Sequence, residues 1–149
     1  MNISLRSKNI IVVGGGSGIG HAIAQKLLDS GAENIIIASR NFDKLEKGRD
    51  TLKYRPQQKV NLLQFDISKV QTHAQILEDA QKLIGLDNPL DGLVISSGVD
   101  FDGSNWKGFN ISEADWDKVM NTNLKGVFFL LRNFANLLYS KNIKGNICI

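Results

Sequence analysis

Cysteine is almost absent from this 149-residue chain, and the single Cys148 excludes an internal disulfide framework and favours a reducing compartment. Long hydrophobic runs are also missing. The run Ile10–Val13 is far too short to span a bilayer, and the glycines after it do not form a signal-peptide cleavage site. The net charge of +3 is too small to indicate nucleic-acid binding. These absences predict a cytoplasmic protein that has neither a membrane nor a nucleic-acid partner.

Histidine is scarce as well. His21 and His73 each fall in a predicted helix, with no Cys or acidic partner at metal-ligand spacing, so we expect two ordinary surface histidines and no metal site. The sequence contains no internal repeat, low-complexity tract or linker. Its length suits one domain with a hydrophobic core. We therefore expect a single domain over residues 1–149.

Glycine is abundant, and it is concentrated directly after a β-branched run. Ile10–Val13 is followed by Gly14-Gly15-Gly16-Ser17-Gly18-Ile19-Gly20 and then by an amphipathic segment from His21 to Ser30. This order predicts a strand, a glycine turn and a helix, with backbone N–H groups at the positive end of the helix holding a diphosphate. A plain structural turn is the alternative. Three glycines are expected to serve the tight turn, the approach of the ligand and the close packing of helix on strand, respectively: Gly14, Gly18 and Gly20.

Apolar runs alternate with segments of helical periodicity along the whole chain. The predicted strands are Lys8–Val13, Asn34–Ala38, Val60–Phe65, Asp91–Ser96 and Gly145–Ile149. This alternation predicts parallel βαβ units with right-handed crossovers, and therefore an α/β doubly wound parallel sheet. Strand order 3-2-1-4-5 would place a topological switch point between strands one and four, above the glycine turn.

The predicted helices carry local signals of their own. Ile19, Ile23 and Leu27 are expected to face the sheet, and Ser68 is expected to cap a helix over Lys69–Ile84. A polar helix is expected from about Phe42 to Leu52. Ser112-Glu113-Ala114-Asp115 has the form of a capping box before a long last helix. The apolar stripe of that helix comprises Trp116, Val119, Met120, Val127, Leu130, Leu131, Phe134 and Leu138.

The glycine spacing Gly14-x-x-x-Gly18-Ile19-Gly20 resembles the nucleotide loop of the short-chain dehydrogenases/reductases. Other motifs are similar to those of the family, in the same order and at similar spacing: Asp66-Ile67, Ser96-Ser97-Gly98 and Asn123-x-x-Gly126. The resemblance implies a Rossmann-like fold and a nicotinamide cofactor. It also implies hydride transfer between nicotinamide C4 and a small-molecule carbonyl or secondary alcohol.

The choice between the two nicotinamide cofactors depends on Ser39-Arg40, at the end of strand two. An acidic residue there would bind a ribose 2′-hydroxyl and repel a 2′-phosphate, whereas the Arg40 guanidinium can fork onto phosphate oxygens. The Ser39 hydroxyl can add a donor. NADP is therefore expected rather than NAD, with a solvated Arg40 as the alternative. The stretch after Arg40 is also basic, through Lys44, Lys47, Arg49, Lys53, Arg55 and Lys59.

The resemblance assigns roles to the later motifs. Asp66 is expected to accept from the adenine amino group, with a helix-capping role as the alternative, and Ile67 is expected to pack near the ring. Asn123 is expected to hold a water in a proton relay; as an alternative or in addition, it satisfies a helix irregularity near Gly126. The expected cofactor-binding residues are Gly14, Gly16, Ser17, Gly18, Ile19, Gly20, Ser39, Arg40, Asp66, Ile67, Ser96, Ser97 and Gly98.

The catalytic Ser and Tyr-x-x-x-Lys of the family are not present in the sequence. Gln58 follows Tyr54 by four residues and Ile143 follows Tyr139 by four, so neither tyrosine begins that motif. The resemblance therefore implies the N-terminal, cofactor-binding portion of a truncated enzyme, inactive on its own. A non-catalytic nucleotide-binding module or an inactive truncated homologue is the alternative. A Rossmann-like methyltransferase is disfavoured by Arg40, because its ligand has a free ribose.

Two further expectations concern surfaces. The loop Val99–Asn110, with Phe101, Trp106 and Phe109, is expected to form one wall of the substrate pocket. An exposed edge at Asn146–Ile149, together with an incompletely covered sheet, is expected to make the isolated chain self-associate, undergo degradation or dissolve poorly, and a homo-oligomer is predicted.

Overall fold

The computed structural model describes residues 4–101 and 110–149. Its strands are β1 Asn9–Val13, β2 Asn34–Ser39, β3 Lys59–Gln64, β4 Gly92–Ile95 and β5 Asn146–Cys148. Its α-helices are α1 Gly18–Asp29, α2 Phe42–Thr51, α3 His73–Ile84, α4 Glu113–Met120 and α5 Val127–Ser140. A π-helical turn, Asn121–Gly126, joins α4 to α5, and a short 3₁₀ turn, Val70–Thr72, precedes α3.

All pairings in the sheet are parallel, and the strand order is β3-β2-β1-β4-β5, which confirms the predicted doubly wound topology. Successive residues of a strand point to opposite faces, so each face has its own core. Ile11 and Val13 of β1 pack with Phe134 of α5 and Leu77 of α3. On the opposite face, Ile10 and Val12 pack with Ala24 and Leu28 of α1 and Leu45 of α2.

The buried face of α1 differs from the one expected. Ile19 is 76% exposed and the buried residues of α1 are Gly20, Ala24 and Leu28, whereas Leu27, one of the expected residues, is partly buried and packs against the same core. A Cβ at Gly20 would overlap the carbonyl oxygen of Gly14, so the first turn of α1 lies directly against the glycine turn. This close approach turns the preceding residue, Ile19, outward.

The start of α3 also differs from the prediction, which placed it at Lys69. The regular helix begins at His73, and Ser68 does not cap it. The Ser68 hydroxyl instead donates to Asp66 Oδ1 at 2.7 Å, and the Ser68 N–H donates to the same oxygen at 3.0 Å. Asp66 therefore holds a local turn ahead of the 3₁₀ segment, which delays the helix.

The long last helix is interrupted by the π-helical turn. Ser112 caps its beginning as expected, because its Oγ accepts from the Asp115 N–H at 3.1 Å. Leu130 and Phe134 are buried, but Trp116 is 52% exposed, so the predicted stripe does not continue into α4 as a buried surface. A π turn adds a residue to the helix and rotates α4 relative to α5, which shifts a stripe of uniform period. Within residues 4–101 and 110–149, we find no helix with the length and apolar character needed to cross a bilayer.

A candidate dinucleotide-binding cleft

A cleft of about 250 Å³ lies at the carboxyl ends of the strands, beside the glycine turn. It is bounded by the segments that come after β1, β2, β3 and β4, together with the π-helical turn, and so lies at the predicted switch point of the sheet. Its lining residues are Val13, Gly14, Gly16, Ser17, Ser39, Arg40, Asn41, Lys44, Phe65, Ile67, Ser96, Ser97, Gly98, Val99 and Thr122.

The glycine turn forms the inner end of this cleft. Gly14 has φ +87°, and its N–H donates to the carbonyl of Ala38 at 2.7 Å. A Cβ on Gly14 would lie 2.8 Å from the carbonyl oxygen of Ser96, so the turn packs closely against the end of β4. Only a residue without a side chain fits there at that φ.

The beginning of α1 has the features of an anion site. Ser17 is the N-cap residue, but its side chain makes no capping hydrogen bond, and the first turn of α1 carries no acidic residue. A Cβ at Gly18 would meet nothing within 4 Å, so this backbone is open to approach. Backbone N–H groups at a helix N-terminus favour negative charge.

Two cations lie in the cleft where β2 leads into α2. Arg40 comes directly after β2, and Lys44 lies in the first turn of α2, which is capped by Asn41 Oδ1 accepting from the Lys44 N–H at 2.9 Å. Neither cation has an ion-pair partner in the described parts of the chain. The Ser39 hydroxyl, expected to be a donor to the ligand, instead donates to the Asn41 carbonyl at 3.0 Å.

The segment after β3 contributes an apolar wall. Phe65 and Ile67 are buried and line the cleft, whereas Asp66 does not line it. The two hydrogen bonds from Ser68 to Asp66 Oδ1 form a local turn and cap no helix, so they do not bear out the helix-capping alternative for this carboxylate. They leave its second oxygen available, so a contact of Asp66 with adenine stays a prediction.

Asn123 anchors the opposite rim. Its Oδ1 accepts from the Val99 N–H at 2.9 Å, and its Nδ2 donates to the Val99 carbonyl at 2.7 Å. The side chain is exposed and not in the buried stripe where it was expected; Thr122 is the buried neighbour. Asn123 does lie within a helix irregularity, as the second interpretation of this residue predicted, and it ties the π turn to the loop after β4.

Nine of the expected residues line one cleft: Gly14, Gly16, Ser17, Ser39, Arg40, Ile67, Ser96, Ser97 and Gly98. Five lie outside its lining: Gly18, Ile19, Gly20, Asp66 and Asn123. Sequence reasoning gave no site role to four lining residues, namely Val13, Asn41, Phe65 and Thr122. It noted Lys44 only as one of several basic residues and placed Val99 only in the expected substrate wall. The position of Asn41 as an N-cap just before Lys44 was the available signal.

The expected substrate wall is described only in part. Phe101 is half-buried, and its N–H donates to Asp100 Oδ1 at 2.8 Å. Trp106 and Phe109 lie outside the described residues. A larger groove, of about 630 Å³, lies between α3 and α5 and contains none of the expected site residues.

Comparison with known proteins identifies the relatives of this chain. The family model described as short chain dehydrogenase matches residues 8–149. The (3R)-3-hydroxyacyl-CoA dehydrogenase of Canis lupus familiaris is 30% identical over 153 aligned positions, which cover 97% of this chain and 56% of that protein. The chain thus spans about half the length of the curated relatives it matches.

Solved structures have the same fold. A putative short-chain alcohol dehydrogenase from Sinorhizobium meliloti 1021 superposes with a TM-score of 0.83 at 26% identity, covering 99% of this chain and 55% of that one. The 3-oxoacyl (acyl-carrier-protein) reductase from Agrobacterium tumefaciens C58, solved with NADP bound, gives a TM-score of 0.79 at 20% identity, covering 98% and 53% of the two chains. The family match, the sheet order and the glycine turn agree, and the chain belongs to the short-chain dehydrogenase family of oxidoreductases.

Proposed function

We propose that this chain forms the cofactor-binding part of an NADP-dependent oxidoreductase that acts on a carbonyl or secondary alcohol. The observation that carries the proposal is the placement of Arg40 and Lys44 in the same cleft as the glycine turn, with no ion-pair partner in the described chain. When bound, the cofactor supplies or accepts the hydride. The residues of this chain bind and orient it.

The cation pair favours a 2′-phosphate. A guanidinium forms forked hydrogen bonds with phosphate oxygens, and a nearby ammonium adds a point charge. A carboxylate in this position would favour the 2′-hydroxyl of NAD, and neither Arg40 nor its neighbours Ser39 and Asn41 is acidic. The Ser39 hydroxyl can join this site only by releasing its bond to the Asn41 carbonyl.

The other cofactor contacts are assigned along the length of the cleft. The turn and the N-terminus of α1 would hold the diphosphate through backbone N–H groups, with Ser17 adding its hydroxyl. Phe65 and Ile67 would pack against the adenine, with Asp66 as acceptor for its amino group. The small residues Ser96, Ser97 and Gly98 leave room for the cofactor to lie against the end of β4.

The role of Asn123 is proposed from the same resemblance. In the family, this amide holds a water of a proton relay. In this chain both Oδ1 and Nδ2 of Asn123 are hydrogen-bonded to the backbone of Val99. A water could therefore be held only by the second lone pair of Oδ1 or the second N–H of Nδ2. The catalytic assignment of Asn123 and the inactivity of these 149 residues alone stay predictions. Carbonyl-dependent oxidation of NADPH, measured in protein free of contaminating reductases, tests the predicted inactivity.

Titration of the protein with NADPH and NADH, monitored by nicotinamide fluorescence, tests the cofactor preference. We expect tighter binding of NADPH, and we expect Arg40→Asp to reduce the ratio of the two affinities by about tenfold or more, a difference of about 1.4 kcal/mol. Lys47→Asp is the matched control, because it changes the charge equally on α2 outside the cleft. Equal affinities in the parent protein, or an equal effect of the two substitutions, would refute the assignment.

A further inference from the structure

His73, expected to lie on the surface, is fully buried at the first position of α3, with 0% of its surface exposed. Its Nε2 is 2.8 Å from the carbonyl oxygen of Ile67. Its ring also packs edge-on with that of Phe65, with a centroid separation of 5.4 Å and an interplanar angle of 70°. The imidazole thus contacts both buried residues that form the apolar wall of the cleft.

The hydrogen bond defines the state of the ring. A carbonyl oxygen can only accept, so Nε2 carries the hydrogen and donates to Ile67. Nδ1 is buried without a hydrogen-bond partner among the described residues. An apolar side chain of similar size would fill this space without burying an unpaired nitrogen. Packing alone therefore does not account for histidine here, whereas the donated hydrogen bond does.

The carbonyl that accepts this bond also touches the π-helical turn. A Cβ at Gly126 would overlap the Ile67 oxygen, so the backbone of Gly126 lies directly on it. The Ile67 carbonyl thus contacts both the His73 ring and the backbone of Gly126. From the same π turn, Thr122 lines the cleft and Asn123 bonds both backbone groups of Val99.

We propose that His73 is a positioning residue. By donating to the Ile67 carbonyl, it holds the π-helical turn against the apolar wall and so keeps the cleft in the conformation that binds the dinucleotide. His73 does not itself line the cleft. It is connected to the cleft through the Ile67 carbonyl and through its packing contact with Phe65. The part of this inference that concerns ligand affinity rests on the proposed function. The part that concerns the π turn does not.

Three substitutions separate donation from packing. His73→Gln keeps a donor where Nε2 lies, His73→Met fills the space without a donor, and His73→Asn places its donor nearer to the Nδ1 position. Leu77→Val, one turn further along α3 in the same core, is the control for general loss of stability. Melting temperatures show which variants are matched in stability.

Two readouts are measured on the full chain: amide hydrogen exchange of residues 121–126 without ligand, and the dissociation constant for NADPH. We expect His73→Met and His73→Asn to accelerate exchange in the π turn and to weaken NADPH binding about fivefold or more. His73→Gln should restore both to within about twofold of the parent. Leu77→Val should change neither, although it lowers the melting temperature.

The outcomes distinguish the two proposals. If His73→Met and His73→Asn leave exchange in the π turn unchanged, or if His73→Gln behaves like them while folded, the positioning role is refuted. If His73→Met does not fold, the contrast between the Asn and Gln variants decides. If the parent protein binds neither NADPH nor NADH, the proposed function fails, and the exchange data on ligand-free protein still decide the role of His73.

Discussion

At the scale of single residues, each glycine of the turn is required for its own physical reason. Gly14 and Gly18 both have positive φ, +87° and +57°, but their surroundings differ, since a Cβ on Gly14 would meet Ser96 and one on Gly18 would meet nothing within 4 Å. Gly20 is helical, and close approach to the Gly14 carbonyl is what excludes a side chain there. Backbone conformation and steric space therefore constrain different glycines of one motif.

These constraints predict an order of stability for alanine substitutions. Gly20→Ala forces its methyl group into the backbone of Gly14, so we expect it to lower the free energy of unfolding by about 2–4 kcal/mol. Gly18→Ala meets no atom and has only the cost of its left-handed conformation, about 1 kcal/mol. Urea denaturation measures both. A larger loss for Gly18→Ala would contradict the steric account of Gly20.

A second constraint at this scale is a partly buried polar cluster at the amino ends of β1 and β4. Asp91 accepts from Lys8 Nζ at 2.7 Å and from the Asn9 N–H at 2.9 Å. The Asp91 side chain is 7% exposed and that of Lys8 is 46% exposed. The two members of this ion pair therefore have very different access to water.

The asymmetry predicts unequal effects of removing each partner. Asp91→Ala leaves the buried Asn9 N–H without an acceptor, which we expect to cost about 2–3 kcal/mol of unfolding free energy. Lys8→Met leaves Asp91 bonded to the Asn9 N–H. Because the Lys8 side chain is partly exposed to solvent, we expect the loss of this ion pair to lower the free energy of unfolding by less than about 1 kcal/mol. Equal losses in chemical denaturation would show that the Lys8 contact contributes most of the energy.

At the scale of elements, the π-helical turn connects the last helix to the cleft. Within its six residues, Thr122 faces the cleft, Asn123 binds the Val99 backbone, and Gly126 lies on Ile67. A regular α-helix would rotate these residues relative to one another and could not make all three contacts with the same spacing. The irregularity is thus where α4 and α5 meet the segments that follow β3 and β4, around one site.

Removing the amide of Asn123 tests this connection. Asn123→Ala loses two hydrogen bonds to Val99, so we expect a loss of about 1–2 kcal/mol and faster amide exchange at Val99. Asn136→Ala, an exposed substitution on α5, is the matched control and should change neither quantity by a comparable amount. Unchanged exchange at Val99 in Asn123→Ala would mean that the loop after β4 is held by other contacts.

At the scale of the whole molecule, the two sheet faces are covered by different helices, and two large apolar side chains are exposed near the junction of the π-helical turn with α5. Leu124 and Phe128, four residues apart, are both more than half exposed. Arg132 lies over the ring of Phe129 at 4.7 Å from its centroid, which flanks this apolar surface with charge. Exposed apolar side chains close together and bordered by charge are candidates for an interaction site.

The predicted homo-oligomer should use this surface. We expect light scattering to show a mass above that of the monomer at tens of micromolar, and Phe128→Asp to reduce it by placing a charge in the contact. Leu86→Asp, which introduces the same charge at an exposed leucine outside α4 and α5, should leave the mass unchanged. A monomeric parent protein, or equal effects of the two substitutions, would contradict this interface.

Much of the architecture could be read along the chain, because strand and helix periodicities are local properties. Each end of the five strands lies within one residue of its expected bound, and the expected order of the sheet is confirmed. Gly14, Arg40 and Ser97 also reach one cleft as expected. Strand ends in a parallel sheet meet at one edge, so motifs placed after successive strands converge without further information.

The burial of individual side chains required the tertiary structure. His73 and Trp116 have the opposite environments to those expected, one fully buried and the other exposed, and Ile19 is turned outward. A uniform period cannot anticipate the extra residue of a π turn, the contact of Gly20 with Gly14, or a carbonyl brought to a histidine by a local turn at Asp66. Periodicity depends on neighbours in the chain, whereas these outcomes depend on how closely distant backbones approach one another.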